Sequence, residues 1–425
     1  MRGSLTLAGG VLTGNIIGFG RVALTAYLLG THSVADSLAV AMGPLDSLNS
    51  MLTNSMLFAF VPLLAAQAEP ARTALFLRLR RAFFWLFLAV SVTVITTAPW
   101  LMRVLAPGLD ADAFHVAVNI ARILAASTTA AGIAALYWAL LYTERRFGPT
   151  AFYQATINLC TIVAAAGLWR ELGVYAFPVG YALGACVQLA VVHFAARPDL
   201  NSQEPPGASV GWREVLAKPA FFLVYAAGLS LNVTFTRAYA THAGAGTAAA
   251  FEYCMRGVGV PLALLVGPLT NSLLPEIARL RNALRLGEAF RLVNRSIAIA
   301  ALLAVGITGI ALLLREPAIQ LLFQRGKFTA DSTKLVSAVF LALGPTLIGW
   351  SLLEITSRSL FALDRPWPPV FIALVPVLVN AALTLGLGLT RPQWIGAGAS
   401  LGALTGFALL FVTVRLKRTR WLEAG

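Results

Sequence analysis

The chain has 425 residues, of which 58% are hydrophobic and 12% charged. Soluble domains carry about 25% charged residues, so a soluble globular protein is excluded, and the mean hydropathy of +0.77 agrees. The net charge of +14 sits in short clusters between apolar runs, as in multi-pass membrane chains, and without a nucleic-acid-binding signature it gives no nucleic-acid partner.

The apolar runs are about 20 residues long and do not alternate, so they are helices long enough to cross a bilayer. The fold class is an all-α polytopic membrane protein. The first half gives spans over Leu5 to Gly30, Ala35 to Ala66, Ala82 to Ala106, Ala113 to Leu141, Thr150 to Leu168 and Val174 to Ala196. The N-terminal run has no clear cleavage site and is expected to be a retained first span. A polar segment rich in turn residues follows, RPDLNSQEPPGASVGWRE, and reads as a linker. The second half gives Val215 to Thr241, Thr247 to Leu274, Leu292 to Leu314, Ser332 to Ala362, Pro368 to Leu389 and Ile395 to Val414. The expected domains are an N-terminal six-helix lobe over 1–200, a cytoplasmic linker over 201–213 and a C-terminal six-helix lobe over 214–425.

Arginines and lysines orient the chain. They gather after the second, fourth, eighth and tenth spans, around the linker and in the tail. These are alternate loops, so both termini are expected in the cytoplasm. One basic cluster breaks the trend: Arg315, Arg325, Lys327 and Lys334 follow the ninth span on the outer side.

A duplication organises the chain. Pro44-Leu45 followed by LTNSML at Leu52 to Leu57 reappears as PL and LTNSLL within FEYCMRGVGVPLALLVGPLTNSLLPE, Phe251 to Glu276. Pro99 parallels Pro317, Gly108 parallels Gly326, Pro149 parallels Pro368, and Arg21 has a near counterpart in Arg237. Six spans per half insert both halves the same way up, the parallel-repeat plan of many transporters.

Charges inside spans are costly and mark pathways by default. Here they are Arg21, Asp36, Asp46, Arg122, Arg237, Glu252, Arg256 and Glu354. Glu252 and Arg256 are four apart and can pair on one helix face. Arg21 and Arg237 have no acid at helical spacing in their own spans, so each either finds a partner across the bundle or faces water. Arginine suits a phosphate, which its planar fork can bind at two points. Arg122 has no counterpart and reads as structural. Asn15, Asn49, Asn54, Asn158, Asn232, Asn271 and Asn380 are polar residues in spans, each able to serve either as lining or as a helix–helix bond.

No G-x-x-x-x-G-K-[ST] or H-E-x-x-H is present, the four histidines are scattered, and the three cysteines lie in apolar runs without metal-ligand spacing. The expectation is a transporter rather than an enzyme, with no cofactor.

LLFQRGKFTAD (Leu321 to Asp331), APGLD (Ala106 to Asp110), IGFGR (Ile17 to Arg21) with Ala35-Asp36, AFVP (Ala59 to Pro62) and MRGVGVP followed by LLP together resemble the MurJ/MviN group of lipid II flippases. That group belongs to a superfamily that also holds multidrug and polysaccharide-lipid exporters. The resemblance implies a bacterial inner-membrane protein that flips a polyprenyl-diphosphate-linked saccharide by alternating access, a lipid-linked substrate, and association with cell-wall or polysaccharide enzymes. It implies substrate binding by Arg21 and Arg256, with Asp36 at the outer gate; Arg237, Asn15, Asn49 and Glu252, as charged or polar residues inside spans, are the further expected substrate contacts. The chain departs from the group's pattern at Asn15, where the group has arginine, and at Leu48 and Asn49, where it has basic residues. It also gives about twelve spans, two fewer than usual, and meets the group's cation site in the eleventh span with Asn380 and no carboxylate. The alternative is export of another lipid-linked oligosaccharide or a small amphipathic compound on the same fold.

Overall fold

A computed structural model describes residues 2–69, 71–197 and 212–423. Every regular element among them is helical. Seven of these helices are long and apolar enough to cross a membrane, or eight if one bent pair is a single span. The chain is an all-α polytopic membrane protein. It divides into two compact units, residues 1–28 with 33–223, and residues 29–32 with 224–425. Residues 198–211, which include most of the expected linker 201–213, lie outside the described residues, as do the side chains of Asn54 and Asn271 in the LTNS repeats.

The first unit holds α1 (Arg2–Leu29), α2 (Ser33–Ala65), α3 (Ala71–Leu105), α4 (Ala111–Thr143), α5 (Gly148–Ala151), α6 (Tyr153–Gly167), α7 (Trp169–Leu172) and α8 (Ala176–Ala196). Helix α4 is its axis and packs on α2, α3 and α8. Its inner side chains meet Phe60, Phe76, Phe83 and Phe87 in one core. Glycine lets these helices approach: a Cβ on Gly132 would enter the Phe87 ring. The arginines after the second span are on helix, not in a loop. Arg72 sits in the first turn of α3 and donates to Leu64 O and Gln67 O, closing the end of α2.

The second unit holds most of α9 (Trp212–Ala240), with α10 (Thr247–Asn282), α11 (Leu286–Leu313), α12 (Arg315–Phe323), α13 (Ala330–Leu343), α14 (Thr346–Ala362), α15 (Trp367–Ile372), α16 (Val375–Gly386) and α17 (Ala397–Glu423). Helix α14 takes the place that α4 has in the first unit, packing on α10, α11 and α17. Where α4 runs unbroken, α13 and α14 bend by 41°. Pro345 stands at that break and has no N–H to continue the ladder.

The repeat extends to single hydrogen bonds. Asp110 caps α4 by accepting from Ala113 N, and Thr329 caps α13 by accepting from Ser332 N. At the ends of α4 and α14, Arg145 and Asp364 both take a left-handed backbone. The next residues then bond back to the helix, Arg146 N to Leu141 O at 2.8 Å and Arg365 N to Leu360 O at 2.9 Å. This is a Schellman-type stop, and the short proline-led helices α5 and α15 follow it in each half.

Close packing repeats too. On α8, Gly180 and Gly184 lie against Thr161 and Ile157 of α6, within 2.8 Å of where a Cβ would stand. On α17, Gly398 and Gly402 lie in the same way against Asn380 and Pro376 of α16. Small residues four apart let membrane helices touch through backbone.

The basic cluster after the ninth span is used locally. Arg315 donates to Leu312 O, Arg325 to Leu321 O, and Lys334 pairs with Asp331.

Candidate substrate-binding site

In the first unit, α1 carries Asn15 and Arg21, and α2 carries Asp36, Asp46 and Asn49. Arg21 and Asp36 are buried, at 8% and 2% exposure, and Asn15 is half-buried. A polar cluster forms deeper along α2. Tyr181 of α8 donates to Asp46 Oδ1 at 3.0 Å, and Asn49 Nδ2 donates to the Tyr181 oxygen at 3.4 Å. Asn49 Oδ1 is buried with no partner. A buried polar group is normally bonded, so this oxygen is an acceptor left over inside the unit.

In the second unit, Glu252 and Arg256, whose spacing allows a pair along one helix face, do not pair. Glu252 is taken by Arg237, whose Nη2 donates to Oε2 at 2.8 Å across the α9–α10 hairpin. The Phe251 ring lies 5.9 Å from the Arg237 guanidinium carbon. Arg237 is buried and Glu252 is about a quarter exposed, and Arg237 Nε and Nη1 have no hydrogen-bond partner. Arg256, one helical turn beyond Glu252, is half-buried and makes no hydrogen bond or ion pair among the described residues.

The other intramembrane charges serve structure. Glu354 accepts from Tyr225 OH at 2.7 Å and from Arg358 Nε at 2.6 Å. Arg122 Nε donates to Ile95 O at 3.4 Å. Pro99 is four residues after Ile95 and inside α3, so that carbonyl has lost its helical donor, and Arg122 replaces it. Asn158 Nδ2 donates to Gly14 O at 3.2 Å, joining α6 to α1. The matching join in the second unit is richer. Asn380 of α16 donates to Asn232 Oδ1 at 2.8 Å and Thr236 Oγ1 at 2.7 Å, and accepts from Thr384 Oγ1 at 3.0 Å. All four residues are neutral; the Asn380 amide is satisfied by the other three, while Asn232 Nδ2 is buried with no hydrogen-bond partner.

Two relationships escaped the sequence reading. Asp36 stands to Arg21 as Glu252 stands to Arg237, because both acids and both arginines are offset by 216 residues. Aligning the halves at Arg21 and reading on to the next acid would have found it. Tyr181 had no such signal, since a single tyrosine in an apolar span shows no pattern.

The sequence model of the family described as "Lipid II flippase MurJ" matches residues 25–423. A lipid II flippase MurJ from Burkholderia cenocepacia is 29% identical over 97% of this chain and 83% of its own length. A probable lipid II flippase MurJ from Rhizobium meliloti is 27% identical over 90% of this chain and 74% of its own. The fold is similar to a solved lipid II flippase MurJ in an inward closed conformation, with a TM-score of 0.84 over 97% of this chain and 87% of that one at 17% identity. The match of the family's sequence model over nearly the whole length means that the chain belongs to the MurJ family of lipid II flippases.

Proposed function

We propose that this protein carries lipid II, a polyprenyl-diphosphate-linked saccharide, across the bacterial cytoplasmic membrane by alternating access of two lobes, 1–200 and 214–425. It works as a transporter and not as an enzyme, with both termini in the cytoplasm and the linker 201–213 joining the lobes there. Arg21 and Arg256 hold the diphosphate. Arg237, positioned by Glu252, offers further donors when the hairpin opens, and Asp36 serves the outer gate. Asn15 and Asn49 contact the sugar or phosphate as neutral groups. Cell-wall biosynthetic enzymes supply and consume the substrate.

The observation that carries this reading is Arg256. An arginine inside a helix of this apolarity costs several kcal/mol without an anion, yet Glu252, the acid one helical turn before it, is already held by Arg237. An anionic ligand supplies what is missing, and the guanidinium fork favours phosphate. The test is complementation of a strain depleted of its own lipid II flippase. Rescue by the wild type and loss of rescue by Arg256→Ala at equal membrane abundance is the expected result. Failure of the wild type at normal abundance overturns lipid II as the cargo.

A further inference from the structure

We propose that a lateral groove of the first unit, walled by α3, α4 and α8, binds an anionic diacyl phospholipid as a fixed structural lipid. The groove encloses about 710 Å³. Arg80, Arg81, Tyr137 and His193 line its polar part, and Phe84, Leu189 and Phe194 its apolar part. Helices α3 and α8 each pack on α4, and the cavity lies between them.

The polar part is built to present positive charge. Arg80 Nη1 donates to the Tyr137 oxygen at 2.9 Å, and that hydroxyl lies 2.8 Å from His193 Nδ1. The phenol oxygen thus links the Arg80 guanidinium to the His193 ring. No carboxylate lines the groove, and among the described residues none pairs with Arg80 or Arg81. Two guanidinium groups therefore line the groove with no anion of the protein's own.

The apolar part fixes the ligand class. Phe84 and Phe194 are exposed, and so are Trp85, Leu86, Val187 and Val191 beside them. In a membrane protein such a face meets hydrocarbon. A ligand with its anion on Arg80 and Arg81 would lay its remainder along these rings and side chains. Inorganic phosphate or a nucleotide would leave them unused, whereas a phospholipid matches both parts, and basic pockets between membrane helices suit anionic headgroups. The groove is separate from the candidate substrate site: His193 lies twelve residues along α8 from Tyr181, roughly 18 Å at the helical rise.

Purified full-length protein in mixed micelles would be irradiated with a phosphatidylglycerol carrying a diazirine in one acyl chain, and the adducts mapped by mass spectrometry. We expect adducts on α3 and α8 around the groove, displaced by unlabelled phosphatidylglycerol and not by phosphatidylcholine. Arg80→Gln with Arg81→Gln lowers their yield on the order of tenfold. Ala190→Trp, at an exposed position lining the groove, lowers it comparably with both arginines intact. This second variant decides the matter if the double variant does not fold. Equal labelling by a phosphatidylcholine probe, adducts confined elsewhere, wild-type yield in Ala190→Trp, or displacement by inorganic phosphate alone would each overturn the proposal.

Discussion

Arg237 of α9 reaches Glu252 of α10 at 2.8 Å, closing the hairpin that opens the second unit. Removing one partner of a buried pair strands the other's charge, which costs about 3–5 kcal/mol. Glu252 is about a quarter exposed, so solvent recovers part of this. We expect Glu252→Gln to destabilise the protein by about 2 kcal/mol and Arg237→Met with Glu252→Leu by less than either single change. Thermal unfolding in detergent, read as a double-mutant cycle, measures the coupling.

Arg256 should behave in the opposite way. It has no protein partner to lose and is costly where it stands without an anion, so Arg256→Ala should raise the stability of the ligand-free protein while transport of a lipid-linked diphosphate falls steeply. Arg256→Lys keeps the charge but loses the fork and should give intermediate transport. A reconstituted flipping assay beside a melting curve separates the two effects.

The bond from Arg122 to Ile95 O exists because Pro99 freed that carbonyl. Arg122→Ala should cost about 0.5–1 kcal/mol in the parent. In a Pro99→Ala background an amide N–H returns to the helix, so the same change should cost close to nothing. Equal costs in both backgrounds would show that the arginine does not serve this carbonyl.

Glycines on α17 and α10 differ in what surrounds them. A Cβ on Gly402 would strike Pro376 O, whereas one on Gly259 of α10 meets nothing. Gly402→Ala should therefore destabilise by about 1–3 kcal/mol and Gly259→Ala should be neutral or slightly stabilising, since alanine favours helix. Expression level and melting temperature of the two variants check this.

Past the apolar part of α10, Arg279 Nε donates to Glu276 Oε2 at 2.8 Å and holds that carboxyl below the usual carboxylate range. A carboxyl lowered in the folded state contributes stability that is fully present above its unfolded value, near 4.3, and is lost as pH falls through the lowered folded value. Stability should thus be insensitive to this pair between pH 6 and 8, on the order of physiological conditions, and Arg279→Ala should reduce the acid-limb dependence. Unfolding measured from neutral to acid pH, with and without the substitution, gives the comparison.

Composition and run length suffice to establish a polytopic helical membrane protein, because only helices or a closed barrel satisfy a backbone in lipid, and these runs are long enough to cross it as helices and do not alternate as barrel strands would. The duplication was legible for a similar reason: prolines and glycines such as Pro149 and Pro368 mark breaks that any copy of the same helix plan must keep. Family membership followed from short segments such as LLFQRGKFTAD. What the sequence could not decide is which charges meet. Helical spacing favours Glu252 with Arg256, yet only packing across the hairpin puts Arg237 nearer, and it leaves Arg256 without a partner. Spacing along one helix is local and readable from sequence. Contact between helices depends on rotation and depth, which side chains throughout the bundle settle together.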